Sequence, residues 1–481
     1  MFTIYAIMKT KIFIYSALIT CITITNSYAQ NLKQKLDQNF NTLTNHTSLK
    51  NGIASIHIIN SETKETIFEK NANIGLPTAS TLKVITSITA LDILGKDFTY
   101  KTKLYYTGEI DSIGILHGDI IIQGDGDPTL GSNRYENTKE NVILSKWKSA
   151  IINAGITTIN GKIIADDRKY NGHDLPGGWI WNDMGNYYGA GISSLNWREN
   201  STGINFKVGD IQKSADLLNT TSDISYLKVI NQVKTGRQGS GDNVYGYSAP
   251  YSEKIVLKGT YGVDLKKTIE VSLPDPAYDL AYNLKLALEK DNIYTTEGIT
   301  TGQRMTEDND HISAQPYTEL DIHISPPLHE IVYWFNQKSI NLYGEALLKS
   351  IAYFSGGKTS TQDGTFYLKK YWEQKLNIKN SELDLKDGSG LSPQNNVTTK
   401  AMNTIMQYAI GRPWFNEFNK SLPTYNNMTM KSGTIGGTLG YTGYHTAKDG
   451  KKYTFSLLVY NYDNTASRMR QLMFTFLDSL K

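Results

Sequence analysis

The character of this chain changes twice along its length, and this limits its fold more than any other feature. Residues 54–95 have the pattern of a strand, a turn, a second strand and a helix that ends at Gly95. Residues 98–314 consist of short β-like runs separated by glycine-rich turns. Helical patterns then return and are followed by two strands and an amphipathic helix, at 428–434, 453–460 and 465–480. We therefore expect a mixed helix-and-strand domain interrupted by a large insertion with its own core.

The first 29 residues are typical of a secretory signal peptide. Lys9 and Lys11 precede an apolar run at 12–24, and Ser27-Tyr28-Ala29 provides small residues where signal peptidase cuts. The run is shorter than the roughly 20 apolar residues that a spanning helix needs. We expect export, cleavage near Ala29 and a location in the periplasm or cell envelope.

The single cysteine, Cys21, lies inside this segment. A chain cut after Ala29 would therefore have no thiol for a disulfide, a nucleophile or a metal site. An alternative is lipid attachment at Cys21, although Thr20 is a poor residue directly before a lipidated cysteine.

The composition indicates a globular protein whose positive and negative charges nearly balance. Apolar residues make up 39% and charged residues 20% of the 481 positions, which is enough for two or three domains with large cores. The formal net charge is +3, of which Lys9 and Lys11 supply two units. This small charge disfavours nucleic acid as a partner.

Metal and triad chemistry have weak support in the sequence. The eight histidines are scattered, and the patterns His-Glu-x-x-His and Gly-x-Ser-x-Gly are both absent from the sequence. Asp125 and Asp127 fit a tight turn better than a calcium loop. We expect neither a metal nor a cofactor.

The remaining possibility for catalysis is a serine that is activated by a lysine base. A Ser-x-x-Lys motif at the start of a helix suits this chemistry because it puts both side chains on one face. The pattern begins at five serines, which are Ser61, Ser80, Ser145, Ser225 and Ser355. Ser80 with Lys83 is favoured because it opens a long apolar helix directly after the predicted hairpin. The alternative for Ser80 is an ordinary helix N-cap.

Two further elements suit serine acyl transfer, which needs a second hydroxyl and a cationic strand for the substrate carboxylate. Ser339-Ile340-Asn341 supplies the first, and Lys431-Ser432-Gly433-Thr434 supplies the second. Ser194-Leu195-Asn196 and Lys234-Thr235-Gly236 match the same patterns. We prefer the later strand because Lys234 runs into a loop-like stretch and lacks evident sheet neighbours.

With these three elements in order, the chain resembles the class C low-molecular-mass penicillin-binding proteins. These are exported D-alanyl-D-alanine carboxypeptidases and endopeptidases with a large insertion after the nucleophile helix. The resemblance spans nearly all of the chain after residue 29. Further stretches that carry it are 118–122, 126–130, 176–183, 273–277, 325–328, 341–348 and Asp387-Gly388-Ser389-Gly390-Leu391-Ser392.

The resemblance implies an α+β fold with a core like that of serine β-lactamases and transpeptidases, an antiparallel sheet flanked by helices. The catalytic part would comprise residues 30–97 and 315–481. The insertion would comprise residues 98–314, as two nested subdomains.

The resemblance also implies the roles of the site residues. Ser80 would attack the carbonyl of the penultimate D-alanine, with Lys83 as its base, Ser339 as proton relay and Asn341 holding Lys83. The terminal carboxylate would be bound by residues of one strand, Lys431, Ser432, Gly433 and Thr434. The backbone N–H groups of Ser80 and Thr434 would form the oxyanion hole.

In the insertion, the resemblance assigns Asp183 and Tyr188 to contact with the side chain of the substrate peptide. The alternative is a packed aromatic cluster with an aspartate that caps a turn. The implied partners are peptidoglycan stem peptides and, as covalent inhibitors, β-lactams; the oligomeric state is not predicted. Alternatives to a DD-peptidase are a β-lactamase and a non-catalytic sensor of β-lactams or muropeptides.

Overall fold

The computed structural model of the chain describes residues 31–170, 172–312 and 316–481. The predicted signal peptide and Cys21 lie outside the described residues. Within these ranges, no helix has both the length and the apolar character needed to cross a bilayer.

A six-stranded antiparallel sheet, called the catalytic sheet below, joins the two ends of the chain. Its first strand, Ile53–Asn60, forms the predicted hairpin with Thr66–Lys70. On its other side it pairs along its whole length with Lys452–Tyr460. The sheet continues with Thr438–Thr446, Met428–Ile435 and Thr424–Tyr425.

Helices cover both faces of the catalytic sheet, as the α+β prediction requires. One face packs on a helix at 31–44 and on Ala466–Leu477 around a buried core that includes Phe40, Phe455 and Phe476. Thr399–Ala409 packs on the opposite face. The other helices of this part are Leu328–Gln337, Asn341–Gly356, Thr361–Leu376 and Phe415–Ser421.

The predicted helix after the hairpin starts as a 3-10 turn, Ala79–Leu82, and continues as the α-helix Lys83–Leu94. Gly95, with φ +84°, ends it as predicted. The helix is buried from Lys83 to Leu91, which explains why it is apolar on nearly all sides. Ser80 lies inside the 3-10 turn, and Thr78 takes the N-cap position, so the N-cap alternative for Ser80 is wrong.

The residues between these parts form separate sheets. The largest has five strands, with Glu140–Asn153 and Pro276–Glu289 packed on one face. In order across the sheet, its strands are Ile299–Thr301, Ile163–Asp166, Ile120–Gln123, Lys101–Tyr106 and Thr318–Ile324. Two three-stranded sheets share a second core and consist of Asp216–Thr220, Ser201–Lys207 and Ile269–Ser272, and of Lys228–Gly236, Lys254–Gly262 and Asp242–Tyr247.

Short elements complete the chain. Two small sheets consist of Leu383–Asp384, Asn396–Thr398 and Gly75–Pro77, and of Glu109–Ile110, Ile115–His117 and Thr158–Ile159. Two short helices span Trp181–Met184 and Gly302–Glu307.

The strand Thr318–Ile324 pairs with Lys101–Tyr106, within the sheet of the insertion. This differs from the predicted boundary, which gave residues from 315 onward to the catalytic part. The chain re-enters the catalytic part at Ser325, whose Oγ accepts a hydrogen bond from the backbone N–H of Tyr100. The division into domains otherwise stays a prediction.

The expectation that Lys234-Thr235-Gly236 lacks sheet neighbours was wrong. These residues end the strand Lys228–Gly236, which pairs in parallel with Lys254–Gly262. The motif therefore has a sheet neighbour, but this neighbour belongs to a three-stranded sheet within residues 228–262 and not to the catalytic sheet.

Candidate active site

The backbone around Ser80 is held between two glycines of other segments. Ala79 has φ +45°, an unfavourable value for a residue with a side chain. A Cβ on Gly433 would lie 2.9 Å from the backbone nitrogen of Ser80, and one on Gly390 would lie 2.0 Å from the carbonyl oxygen of Ala79. Strain of this kind persists where the surroundings fix it, and here two close backbone approaches do so.

Lys83 has three hydrogen-bond partners although its side chain is fully buried. Its Nζ lies 3.1 Å from Ser80 Oγ, 2.6 Å from Asn341 Oδ1 and 2.6 Å from the carbonyl oxygen of Ser389. The two shorter contacts are to oxygens that can only accept. A neutral amine has two N–H groups for these oxygens and one lone pair, which then faces the hydroxyl of Ser80.

The surroundings of Lys83 favour that neutral form. Burial lowers the pKa of Lys83 well below its ordinary value, and the positive charge of Lys431 lowers it further. Asp387 and Glu345 act against this shift. The effect of Glu345 is reduced because burial and the charge of Asp387 raise its own pKa to about 8.

Ser339 and Lys431 form a second pair beside the first. Lys431 Nζ donates to Ser339 Oγ and to the carbonyl oxygen of Ser432, at 3.1 Å in both cases. Burial lowers the pKa of Lys431 to about 7. Ser339 has φ +58°, so its hydroxyl is positioned by a backbone conformation that non-glycine residues rarely adopt.

The strand Met428–Ile435 carries the other predicted carboxylate-binding residues. Gly433 lies against the turn that holds Ser80, as described above. Thr434 lines the cleft in front of Ser80. Ser432 contributes its carbonyl to Lys431.

Asn341 connects the catalytic part to the insertion. Its Nδ2 donates to the carbonyl oxygen of Tyr188 at 2.7 Å, and this contact fixes which end of the amide faces Lys83. The side chains of Tyr188 and Asp183 lie close enough for each to affect the pKa of the other, and both line the cleft. Burial raises the pKa of Asp183 from its ordinary value. All ten predicted site residues thus lie in one region.

The loop 387–392 contributes a group that the sequence analysis did not assign. Asp387, fully buried, accepts hydrogen bonds from the N–H groups of Gly390 at 2.7 Å and Ser392 at 2.6 Å. It also accepts from Trp179 Nε1 at 2.9 Å. These bonds fix the loop that presents the Ser389 carbonyl to Lys83. The only indication in the sequence was that this loop and Trp179 lie in stretches that resemble the class C penicillin-binding proteins.

The cleft in front of Ser80 has a volume of about 370 Å³. Its wall includes an ion pair that was also missed, in which Arg134 Nε lies 2.7 Å from Glu199 Oε1. Tyr343 donates its hydroxyl to the same oxygen at 2.8 Å. Sequence patterns could not reveal this pair, since its members lie far apart in the chain and belong to no motif. The remaining lining residues include Tyr187, Ser201, Lys338, Ile340, Leu342 and Leu391.

Comparison with known proteins shows the family of the chain. The sequence model of the family described as D-Ala-D-Ala carboxypeptidase 3 (S13) matches residues 36–479. The chain belongs to this family. Across the described ranges, no group of three or more His, Cys, Asp or Glu side chains is arranged to hold a metal ion.

Two similar proteins align with most of the chain. A D-alanyl-D-alanine carboxypeptidase of Actinomadura sp. (strain R39) is 24% identical over 425 residues, which is 86% of this chain and 75% of the relative. The D-alanyl-D-alanine carboxypeptidase DacB of Haemophilus influenzae is 25% identical over 430 residues, 82% of this chain and 83% of the relative.

Solved structures show the same fold. Penicillin binding protein 4 (dacB) from Haemophilus influenzae superposes with a TM-score of 0.73 at 22% identity, covering 93% of this chain and 97% of the other. The same protein complexed with a β-lactam gives a TM-score of 0.68 at 20% identity, with 93% and 98% covered. The predicted α+β fold and the predicted family are confirmed.

Proposed function

We propose that this S13 protein is a serine DD-peptidase that acts on peptidoglycan stem peptides through an acyl-serine intermediate. Its reaction is D-Ala-D-Ala carboxypeptidase action, cleavage of D-Ala-diaminopimelate crosslinks, or both, and β-lactams inhibit it. The main support for this proposal is the hydrogen bonding of Lys83. Both N–H groups of a neutral Lys83 are used by the acceptors Asn341 Oδ1 and Ser389 O, so that its lone pair is left for the hydroxyl of Ser80.

In the first step Ser80 Oγ attacks the carbonyl carbon of the penultimate D-alanine while its proton passes to Lys83 Nζ. The strand backbone at Gly433 lies against the Ser80 nitrogen, which supports an oxyanion hole made from the N–H groups of Ser80 and Thr434. The resulting tetrahedral intermediate then expels the terminal amine.

The departing amine must gain a proton for the peptide bond to break. Ser339 Oγ lies 3.1 Å from Lys431 Nζ and lines the same cleft as Ser80, which makes it the group suited to relay this proton. The relayed proton is the one that Lys83 took from Ser80, so Lys83 is neutral again when water attacks the acyl-serine. Lys83 accepts a proton from this water and passes it to Ser80 Oγ as the ester bond breaks, which restores the free hydroxyl.

The substrate carboxylate is assigned to the strand of Lys431, with Ser432, Gly433 and Thr434. Lys431 has a pKa of about 7 because it is buried. A bound carboxylate would favour its charged form and would therefore raise this pKa. Charge on Lys431 in turn favours the neutral form of Lys83, so that substrate binding and base activation support each other.

Asp183 is assigned to a cationic group on the third residue of the stem, such as the free amine of diaminopimelate, with Tyr188 beside it. The half-buried position of Asp183 in the cleft wall supports this assignment. Asp183→Ala should reduce turnover of diaminopimelate peptides much more than turnover of simple D-Ala-D-Ala esters. Equal losses on both substrates would refute the assignment.

The proposed activity is tested with purified protein, a fluorescent penicillin and a crosslinked muropeptide, followed by mass spectrometry. A stable adduct on Ser80 that is lost in Ser80→Ala and Lys83→Ala, together with cleavage of the muropeptide, supports a DD-peptidase. Rapid release of hydrolysed penicillin without muropeptide cleavage would indicate a β-lactamase. A stable adduct without cleavage would indicate a sensor. Export to the periplasm or cell envelope is part of the proposal and is tested by fractionation.

A further inference from the structure

A second cavity, of about 630 Å³, is lined by residues of the insertion and by Tyr353 of the catalytic part, and its wall shares no residue with the cleft in front of Ser80. Charged side chains dominate its wall. They are Lys101, Lys103, Arg168, Lys169, Asp125 and Asp166. We call it the cationic cavity.

Both carboxylates of the cationic cavity already have partners. Asp166, which is 6% exposed, accepts from Arg168 Nε at 2.7 Å and Nη2 at 2.9 Å. Asp125 pairs with Lys169, whose Nζ also lies 4.1 Å from the ring centroid of Tyr353. Each of these two pairs is neutral overall.

Lys101 has no carboxylate partner among the described residues, and Lys103 has only a long contact, to Glu319. They stand two residues apart in the strand Lys101–Tyr106, so their side chains leave the same face of the sheet about 7 Å apart. Within the described part of the chain, no carboxylate lies within 4.0 Å of Lys101 Nζ, and Lys103 Nζ is 4.0 Å from Glu319. The wall carries four positive and two negative side chains, and Glu319 next to Lys103 reduces the excess to one positive charge. A positive excess in a concave site favours a ligand with a carboxylate.

The cationic cavity lies at a distance from Ser80 that a polymer can span. Tyr353 in its wall follows Asn341 by twelve residues on the helix Asn341–Gly356, which is about 18 Å along the axis. An extended peptide covers this length with about six residues. The helix is buried from residue 341 to residue 352, so a ligand that occupies both the cleft and the cationic cavity must pass around it. Its path is then longer than about 18 Å, which favours a crosslinked polymer over a single stem peptide.

We propose that the cationic cavity binds free carboxylates of a peptidoglycan segment outside the reacting stem. This inference rests on the proposed function, since it takes the peptidoglycan polymer as the substrate. Lys101 and Lys103 supply the attraction, while the pairs Arg168–Asp166 and Lys169–Asp125 shape the wall. The site would increase affinity for crosslinked material over isolated peptides.

The test uses the full chain with Ser80→Ala, so that binding is measured without turnover. Titration calorimetry at low and at physiological salt compares a soluble crosslinked muropeptide, the same muropeptide with its carboxylates amidated, and inorganic polyphosphate. The variant Lys101→Glu/Lys103→Glu is compared with Lys213→Glu/Lys448→Glu, which makes the same charge change at exposed positions elsewhere.

We expect the Lys101/Lys103 variant to weaken binding of the crosslinked muropeptide about tenfold, with a smaller loss at higher salt. Amidation should cause a similar loss in the parent protein and little further loss in the variant. Equal effects of the two double variants, or binding of polyphosphate but not of the muropeptide, would overturn the proposal.

Acylation of the Ser80 protein by penicillin is followed in parallel. If the Lys101/Lys103 substitutions reduce acylation as much as they reduce muropeptide affinity, they act on the cleft and the proposal is wrong. If the parent Ser80 protein is not acylated at all, the proposed function fails, whereas the calorimetric comparison still decides the carboxylate site.

Discussion

The carbonyl oxygen of Ser389 lies 2.6 Å from Nζ of Lys83 and receives one of its hydrogen bonds. Ser389 is held there by Asp387, which binds the N–H groups of Gly390 and Ser392. The proposed base is therefore positioned by a loop more than 300 residues away in the chain.

Asp387→Ala should slow acylation of Ser80 by penicillin by about 100-fold, because loss of these bonds lets the Ser389 carbonyl shift by a fraction of an ångström or more. Thermal stability should fall as well, since buried donors lose their acceptor. Asp384→Ala is the control, because this carboxylate is half-exposed and bonds only to Lys386 among the contacts described. A wild-type acylation rate in Asp387→Ala would contradict this role.

Gly433→Ala should reduce acylation by about 100-fold and destabilise the fold by about 1–3 kcal/mol. The new methyl group would lie 2.7 Å from the Thr78 carbonyl and 2.9 Å from the Ser80 nitrogen, so the strand has to move away from the nucleophile. Gly436→Ala is matched to it, because a Cβ there meets nothing within 4 Å. Acylation kinetics and thermal unfolding check both variants, and similar behaviour of the two would disprove the steric argument.

Asn341→Asp should slow acylation by about 100-fold at pH 7 and move the pH optimum upward. A carboxylate beside Lys83 favours the charged amine and raises its pKa, which leaves less free base at neutral pH. The rate should partly recover as the pH increases. Asn380→Asp, at an exposed position, serves as the control. A pH profile of Asn341→Asp that matches the parent would count against Lys83 as the base.

Binding of a D-Ala-D-Ala peptide to the Ser80→Ala variant should weaken as the pH rises through about 7. Lys431 has a pKa near this value in the free protein, so it is charged below pH 7 and neutral above it. Calorimetry should give a dissociation constant that increases by up to about tenfold per pH unit above 7. A peptide with a C-terminal amide lacks the carboxylate and should show little of this dependence. A flat profile for both peptides would remove Lys431 from carboxylate binding.

Structural elements that depend only on neighbouring residues were predictable from the sequence. The hairpin at 53–70 and the buried helix after it follow from alternation and from apolar spacing. Ser80 could be separated from four other Ser-x-x-Lys serines because it stands at that junction. The convergence of residues 80, 339 and 431 was inferred through resemblance, because periodicity says nothing about which distant segments meet.

The strand Thr438–Thr446 was missed for a physical reason. It is rich in glycine, which is normally a sign of turns. Here Gly440 permits close approach to Leu458 and Thr81, and Gly443 permits close approach to Thr429 and Met430, so small residues are required by packing across the sheet. Lys234 was misjudged in the same direction, because a polar stretch follows its strand and the sequence does not show that this strand pairs in parallel with Lys254–Gly262.

The pairing of Ile53–Asn60 with Lys452–Tyr460 has a consequence for biosynthesis. When the chain emerges amino end first, one edge of the early hairpin stays open until almost all of the polypeptide is available, while the intervening sheets can already form from local contacts. The serine near the beginning thus depends on the last thirty residues for a finished cleft. A nascent chain that stops short of them would expose an unpaired edge and would have no working nucleophile.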